Sequence, residues 1–79
     1  MQRIKYKGKL HGRIKWFSRE KGYGFLVQAD GSEIFFHRSG IPLTEEGSLP
    51  ALEEDQPVLY DVMETSRGPQ AVQVELVSN

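Results

Sequence analysis

Tyr23 and Phe25, and ten residues on Phe35 and His37, occupy alternate positions of two short apolar segments. Alternate side chains of a β-strand share a face. Tyr23 pairs in this way with Phe25, and Phe35 with His37, while Gly24, Leu26, Ile34 and Phe36 point to the opposite side. One set can fill a core, which leaves the other set as rings on an open sheet. Lys15, Lys21 and Arg38 lie close by in the chain. Exposed rings beside cations form a surface on which nucleobases stack and to which phosphates are drawn.

Aromatic residues in small β proteins are more often core than platform, so parity has to decide. With Leu26 inward, Phe25 is outward; with Ile34 and Phe36 inward, Phe35 is outward. Parity near Trp16-Phe17 is ambiguous, and one of these two rings is expected to be mainly structural. Other chemistries have less support. His11 and His37 are the only histidines and cysteine is absent. No carboxylate spacing completes a metal set or a nucleophile–base constellation. No catalytic residue, metal or cofactor is therefore expected. Gly22 and Gly24 lack the strand–turn–helix context of a phosphate loop. Gly22 suits a turn, and Gly24 suits close packing inside a sheet.

The stepping of these residues requires strands. Lys9 to Trp16 alternates, with Leu10 and Ile14 inward and Lys15 outward. Ser18 to Gly22 reads as a turn, Tyr23 to Gln28 as a second strand, Ala29-Asp30-Gly31-Ser32 as a hairpin turn, and Glu33 to His37 as a third strand. Arg38 to Glu54 contains Gly40, Pro42, Gly47 and Pro50 and reads as a long irregular link, with room for a helical turn near Ser39 or Leu52. Gln56 to Glu64 predicts a fourth strand with Val58, Tyr60 and Val62 on one face. After a loop at Thr65 to Pro69, Gln70 to Val77 predicts a fifth, with Val72, Val74 and Leu76 opposite Ala71, Gln73 and Glu75. Three strands followed by two, joined by a longer link, fit an all-β, five-stranded antiparallel Greek-key barrel of the OB type.

The 79 residues make one small domain, which buries only about 60% of its unfolded surface. The net charge of -1 conceals a division. Residues 1–29 hold eight of the ten Lys and Arg and one acid; residues 30–79 hold Arg38 and Arg67 against ten acids. A near-neutral total does not exclude a polyanion partner, because the local field decides attraction. No apolar run approaches the roughly 20 residues of a membrane span, and no apolar stretch follows the basic N-terminus as a secretory signal would require. A cytoplasmic location is expected.

These motifs together resemble the cold-shock domain family. Gly12-Arg13-Ile14-Lys15-Trp16-Phe17-Ser18-Arg19-Glu20-Lys21-Gly22-Tyr23-Gly24-Phe25-Leu26 is similar to the family's G-x-V-K-W-F-N-x-x-K-G-[FY]-G-F-I, which contains its first ribonucleoprotein motif. Glu33-Ile34-Phe35-Phe36-His37-Arg38-Ser39-Gly40-Ile41 is similar to the second, D-[VI]-F-[VF]-H-x-S-x-I. Arg67-Gly68-Pro69-Gln70-Ala71 resembles the family's loop into the last strand. The resemblance divides the chain into a basic N-terminal extension, 1–8, and a cold-shock domain, 9–79. It implies a barrel that binds single-stranded RNA and DNA with low sequence specificity and acts as an RNA chaperone or regulator of transcription and translation in cold shock. Lys15, Trp16, Lys21, Tyr23, Phe25, Phe35, His37 and Arg67 match family contact positions, and Phe17 a less central one. Arg38 stands where many members have an aromatic ring, and its guanidinium can still stack on a base. Ser18 replaces a common Asn, and Leu49 replaces a loop aromatic.

The expected footprint is about six to seven nucleotides, within the ~4 to 16 typical of an OB fold. The expected state is a monomer, with the N-terminal segment as the part able to pair in a dimer. Two rival readings are a barrel whose rings dock a protein partner and a ribonuclease using His11 and His37.

Overall fold

The computed structural model describes residues 9–77, so the basic N-terminal extension lies outside the described residues. Five strands follow in order: β1 (Leu10–Ser18), β2 (Tyr23–Gln28), β3 (Glu33–His37), β4 (Pro57–Thr65) and β5 (Gly68–Leu76), with a 3-10 turn, Arg38–Gly40, after β3. They close into a barrel in the order β1-β2-β3-β5-β4. Four of its pairings are antiparallel. The seam between β3 and β5 is parallel and short, with Phe35 opposite Gln70 and Phe36 opposite Ala71. A closed barrel leaves no free sheet edge, which a small all-β chain needs to stay unaggregated.

The core is one cluster of Ile14, Leu26, Ile34, Phe36, Ile41, Val58, Tyr60, Val62, Ala71 and Val74. Full burial of each large aliphatic or aromatic side chain contributes about 1.5 to 3 kcal/mol. Tyr60 is 1% exposed, and its hydroxyl donates to Gln28 Oε1 at 2.9 Å, so this phenol enters the barrel with its polar atom satisfied.

In the first half of the chain the alternation holds through β2 and β3, where Leu26, Ile34 and Phe36 are inside. It fails in β5. Ala71 and Val74 are the buried residues there, while Leu76 is exposed and Val72 is half-buried. Gln73 takes a positive φ of 53°, and the β4–β5 register slips between Leu59 and Asp61. The bulge inserts one residue and resets which side faces the core. Lys9 covers the distortion: its Nζ donates to the Gln73 carbonyl at 3.2 Å and lies 3.5 Å from Asp61 and 3.7 Å from Glu75.

The turns follow their residue chemistry. The Gly22 N–H donates to the Ser18 carbonyl at 2.7 Å, the Lys21 N–H to Ser18 Oγ at 3.1 Å, and Gly22 has φ +80°. In the next turn the Asp30 carboxylate accepts from the Ser32 hydroxyl at 2.6 Å and from the Ser32 N–H at 2.9 Å. These bonds hold the Asp30 carboxyl below its ordinary value. The link from 41 to 56 is irregular as expected, anchored by buried Ile41 and by Leu49 and Leu52 against the core. Among the described residues no helix is long and apolar enough to cross a membrane.

Candidate nucleic-acid interface

A single inserted residue sets the arrangement of the rings. On β1, Ile14 lies opposite Leu26 and Trp16 opposite Phe25, so Lys15 is the extra residue of a bulge. The bulge leaves Lys15 and Trp16 both exposed, Trp16 at 41%. It also turns Phe17 the other way. Phe17 stacks on core residue Phe36 with centroids 5.5 Å apart and planes 18° from parallel. Of the two rings left ambiguous by parity, Trp16 is the outward one and Phe17 is half-buried against the core.

Register then brings four rings together. Trp16 pairs with Phe25, and Phe25 with Phe35. Tyr23, one outward position along β2, sits 5.7 Å from Trp16 and 5.7 Å from Phe35. The remaining sides are Trp16 to Phe25 at 5.6 Å and Phe25 to Phe35 at 5.9 Å. Each ring therefore touches two others in a closed circuit on the outside of the barrel. These centroid separations lie within the 4.5 to 7 Å of attractive aromatic pairs. The rings brace one another without giving up their outer faces.

His37 extends the circuit, because it pairs with Tyr23. Its Nδ1 accepts the Ser39 N–H at 3.1 Å and lies 3.0 Å from Ser39 Oγ. The imidazole therefore caps the 3-10 turn. An Nδ1 that accepts from an amide places the proton of the neutral ring on Nε2.

Cations surround the rings. The Arg38 N–H donates to the Gly22 carbonyl at 2.9 Å, and its side chain passes over Gly22. Lys21 and Arg67 are exposed in the turns before β2 and before β5. Arg67, Phe35, Thr65, Pro69 and Gln70 line a recess of about 260 Å³ at the edge of the circuit. Lys15 is engaged differently, since its ammonium is ion-paired with Glu33. Glu33 was not among the residues picked out from the sequence. The signal was present: both are outward positions in strands flanking β2, where opposite charges meet.

Lys15 must release Glu33 before it can engage a phosphate. An exposed ion pair costs only about 0.2 to 1 kcal/mol to break, so the effect is modest but readable. Glu33→Gln is expected to tighten oligonucleotide binding about twofold to threefold at low salt, in line with that range. It should also steepen the plot of log K against log salt by up to about 0.7, one phosphate contact on a single strand. An unchanged slope across a salt series would show that Lys15 takes no part.

The two histidines do not converge. His11 lies beside Leu59 near the start of β1, and His37 lies in the row of Ser18 at its far end, roughly 20 Å apart by strand rise. Among the described residues no group of three or more His, Cys, Asp or Glu could hold a metal ion.

Residues 10–77 match the family model described as the 'Cold-shock' DNA-binding domain. The chain is 43% identical over 65 residues to the "Cold shock-like protein CspC" of Bacillus cereus, covering 82% of this chain and 95% of that protein. It is 44% identical over 63 residues to the "Major cold shock protein" of Streptococcus pyogenes, covering 80% and 90%. The "Cold shock-like protein CspB" of Bacillus cereus is 42% identical over 65 residues, covering 82% and 95%. With the closed five-stranded barrel and its outward rings, these matches make the chain a member of the cold-shock domain family.

Proposed function

We propose that this protein binds single-stranded RNA and DNA with low sequence specificity and acts in the cytoplasm as an RNA chaperone or regulator in the response to cold. Nucleic-acid binding and a cold-shock role follow from the family. Support for the finer reading comes from one observation above all: four rings in a closed circuit on the outside of the barrel, within a rim of Lys21, Arg38 and Arg67.

Every base has a π-face, so stacking on rings tolerates sequence, and each stack is worth roughly 1 to 3 kcal/mol. Bases must be unpaired and splayed to reach the rings. Duplex offers no free face and should bind poorly. Preferential binding to single strands shifts weak RNA structure toward the open form by mass action, with no nucleotide hydrolysis. His37 provides a further stacking edge, Arg38 a plane with charge, and Lys15, Lys21 and Arg67 attraction for phosphates. Phe17 supports the surface from beneath by fixing Phe36. The footprint is about six to seven nucleotides, with the protein acting as a monomer. Nothing in this scheme needs a cofactor or a bond-breaking step.

Trp16 lies in the circuit and is the only tryptophan, so its emission reports directly. Titration with oligothymidine is expected to quench it saturably, with a midpoint in the micromolar range or below, and matched duplex should leave it nearly unchanged. Equal response to duplex and single strand would overturn the stacking reading, and no response to either would favour a protein partner for the rings.

A further inference from the structure

The outward stripe of β2 continues beyond the rings. After Tyr23 and Phe25 comes Val27, about 7 Å further along the strand at ~3.3 Å per residue. Val27 pairs with Arg13 of β1. Past it the hairpin turn rises at Ala29 and Gly31, and Pro57 opens β4. Together with His11 these residues line an open cleft of about 450 Å³, within the size range of small-ligand sites.

The cleft has the mixed character that a nucleotide needs. Val27, Ala29 and Pro57 give it an apolar lining, Arg13 supplies a charged donor fork, and His11 adds a ring N–H. Arg13 Nη1 donates to the Asp55 carbonyl at 3.2 Å, which anchors the guanidinium while a fork of five N–H donors keeps capacity for an oxyanion. Among the described residues the cleft lining holds no acidic side chain. Three carboxylates adjoin it: Asp30, bonded to Ser32; Glu33, opposite Val27 and ion-paired with Lys15; and Asp55, whose carbonyl holds Arg13.

We infer that a bound single strand runs on from Trp16 and Phe25 over Val27 into this cleft, which takes one further nucleotide. Its base or sugar lies on Val27 and Pro57, and its phosphate lies against Arg13 and His11. The occupant is nucleic acid because the outward stripe Tyr23, Phe25, Val27 runs from the rings into the cleft and Arg13, its one charged lining residue, suits a phosphate; the inference rests on the nucleic-acid reading of that surface.

The test compares oligothymidines of about six and about nine nucleotides, on the whole protein and on the double variant His11→Ala/Arg13→Ala. The quantity read is the ratio of the two affinities, because the statistical gain from extra binding registers is common to both proteins. That ratio is expected to be about fivefold larger in the unmodified protein than in the variant, equivalent to about 1 kcal/mol. In the unmodified protein the amide signals of Val27, Ala29 and Gly31 should move with the longer oligomer and stay nearly still with the shorter. This footprint decides the matter if the variant folds poorly. Equal ratios, with the amides around Phe25 and Phe35 moving and those of the cleft still, would overturn the inference and leave the ring reading intact. Absence of binding by either oligomer would overturn both.

Discussion

Replacing Phe35 with alanine is expected to weaken oligothymidine binding about 10- to 100-fold at moderate salt, one stack of roughly 1 to 3 kcal/mol. Phe35 touches both Tyr23 and Phe25 and walls the recess that holds Arg67. Its removal takes away one base platform and the brace for two others. The fold should survive, because Phe35 is half-buried while its neighbours Ile34 and Phe36 carry the inward packing. Arg3→Ala, in the basic N-terminal segment, should cost less than about threefold, since one phosphate contact adds only a small salt-dependent term. Fluorescence titration of both variants, with thermal melts to check folding, measures the contrast. Equal losses would mean that charge, and not stacking, carries the affinity.

Gly24→Ala is expected to lower Tm by 10 °C or more, or to prevent folding. A Cβ at this position would lie 2.1 Å from the Trp16 carbonyl oxygen and 2.8 Å from Phe17 Cα. Both are backbone atoms of the β1 bulge, so neither can swing aside as a side-chain end would. Overpacking of this kind costs typically 1 to 3 kcal/mol and sometimes more, and each kcal/mol shifts Tm by about 4 to 8 °C in a domain of this size. Gly31→Ala is the control. A Cβ there meets nothing within 4 Å, although φ is +90°, so only conformational strain of about 1 kcal/mol applies. Calorimetric melts that put the two variants within a few degrees of each other would refute the close approach of β1 and β2 at this point.

Gly24 also shows where sequence reasoning reaches its limit. Strict period-two alternation made β2 and β3 readable, and with them the outward Tyr23, Phe25, Phe35 and His37 and the inward Leu26, Ile34 and Phe36. Any position beyond an inserted residue was harder. At Trp16-Phe17 the bulge reverses parity, and its place is set by the register with β2 and by the missing side chain of Gly24, both of which are tertiary facts. In β5 the buried Ala71 and Val74 are three apart because Gln73 adopts a conformation that its residue type does not advertise. The parallel seam joins segments more than thirty residues apart in the chain, where no local pattern can specify pairing. The Arg67 recess depends on that seam, so Arg67 could be picked out by its motif but not by its geometry.

The link from 41 to 56 has a consequence for the order in which the barrel assembles. β1, β2 and β3 are joined by tight turns and need little chain entropy to meet. β4 cannot reach β1 until the link has closed on itself, and the entropy of closing a loop rises only slowly with its length. The meander is therefore expected to form first and the β3–β5 seam last. Lengthening or trimming the link at Glu45 and Glu46, between the anchors Ile41 and Leu49, is expected to act on the folding rate more than on equilibrium stability.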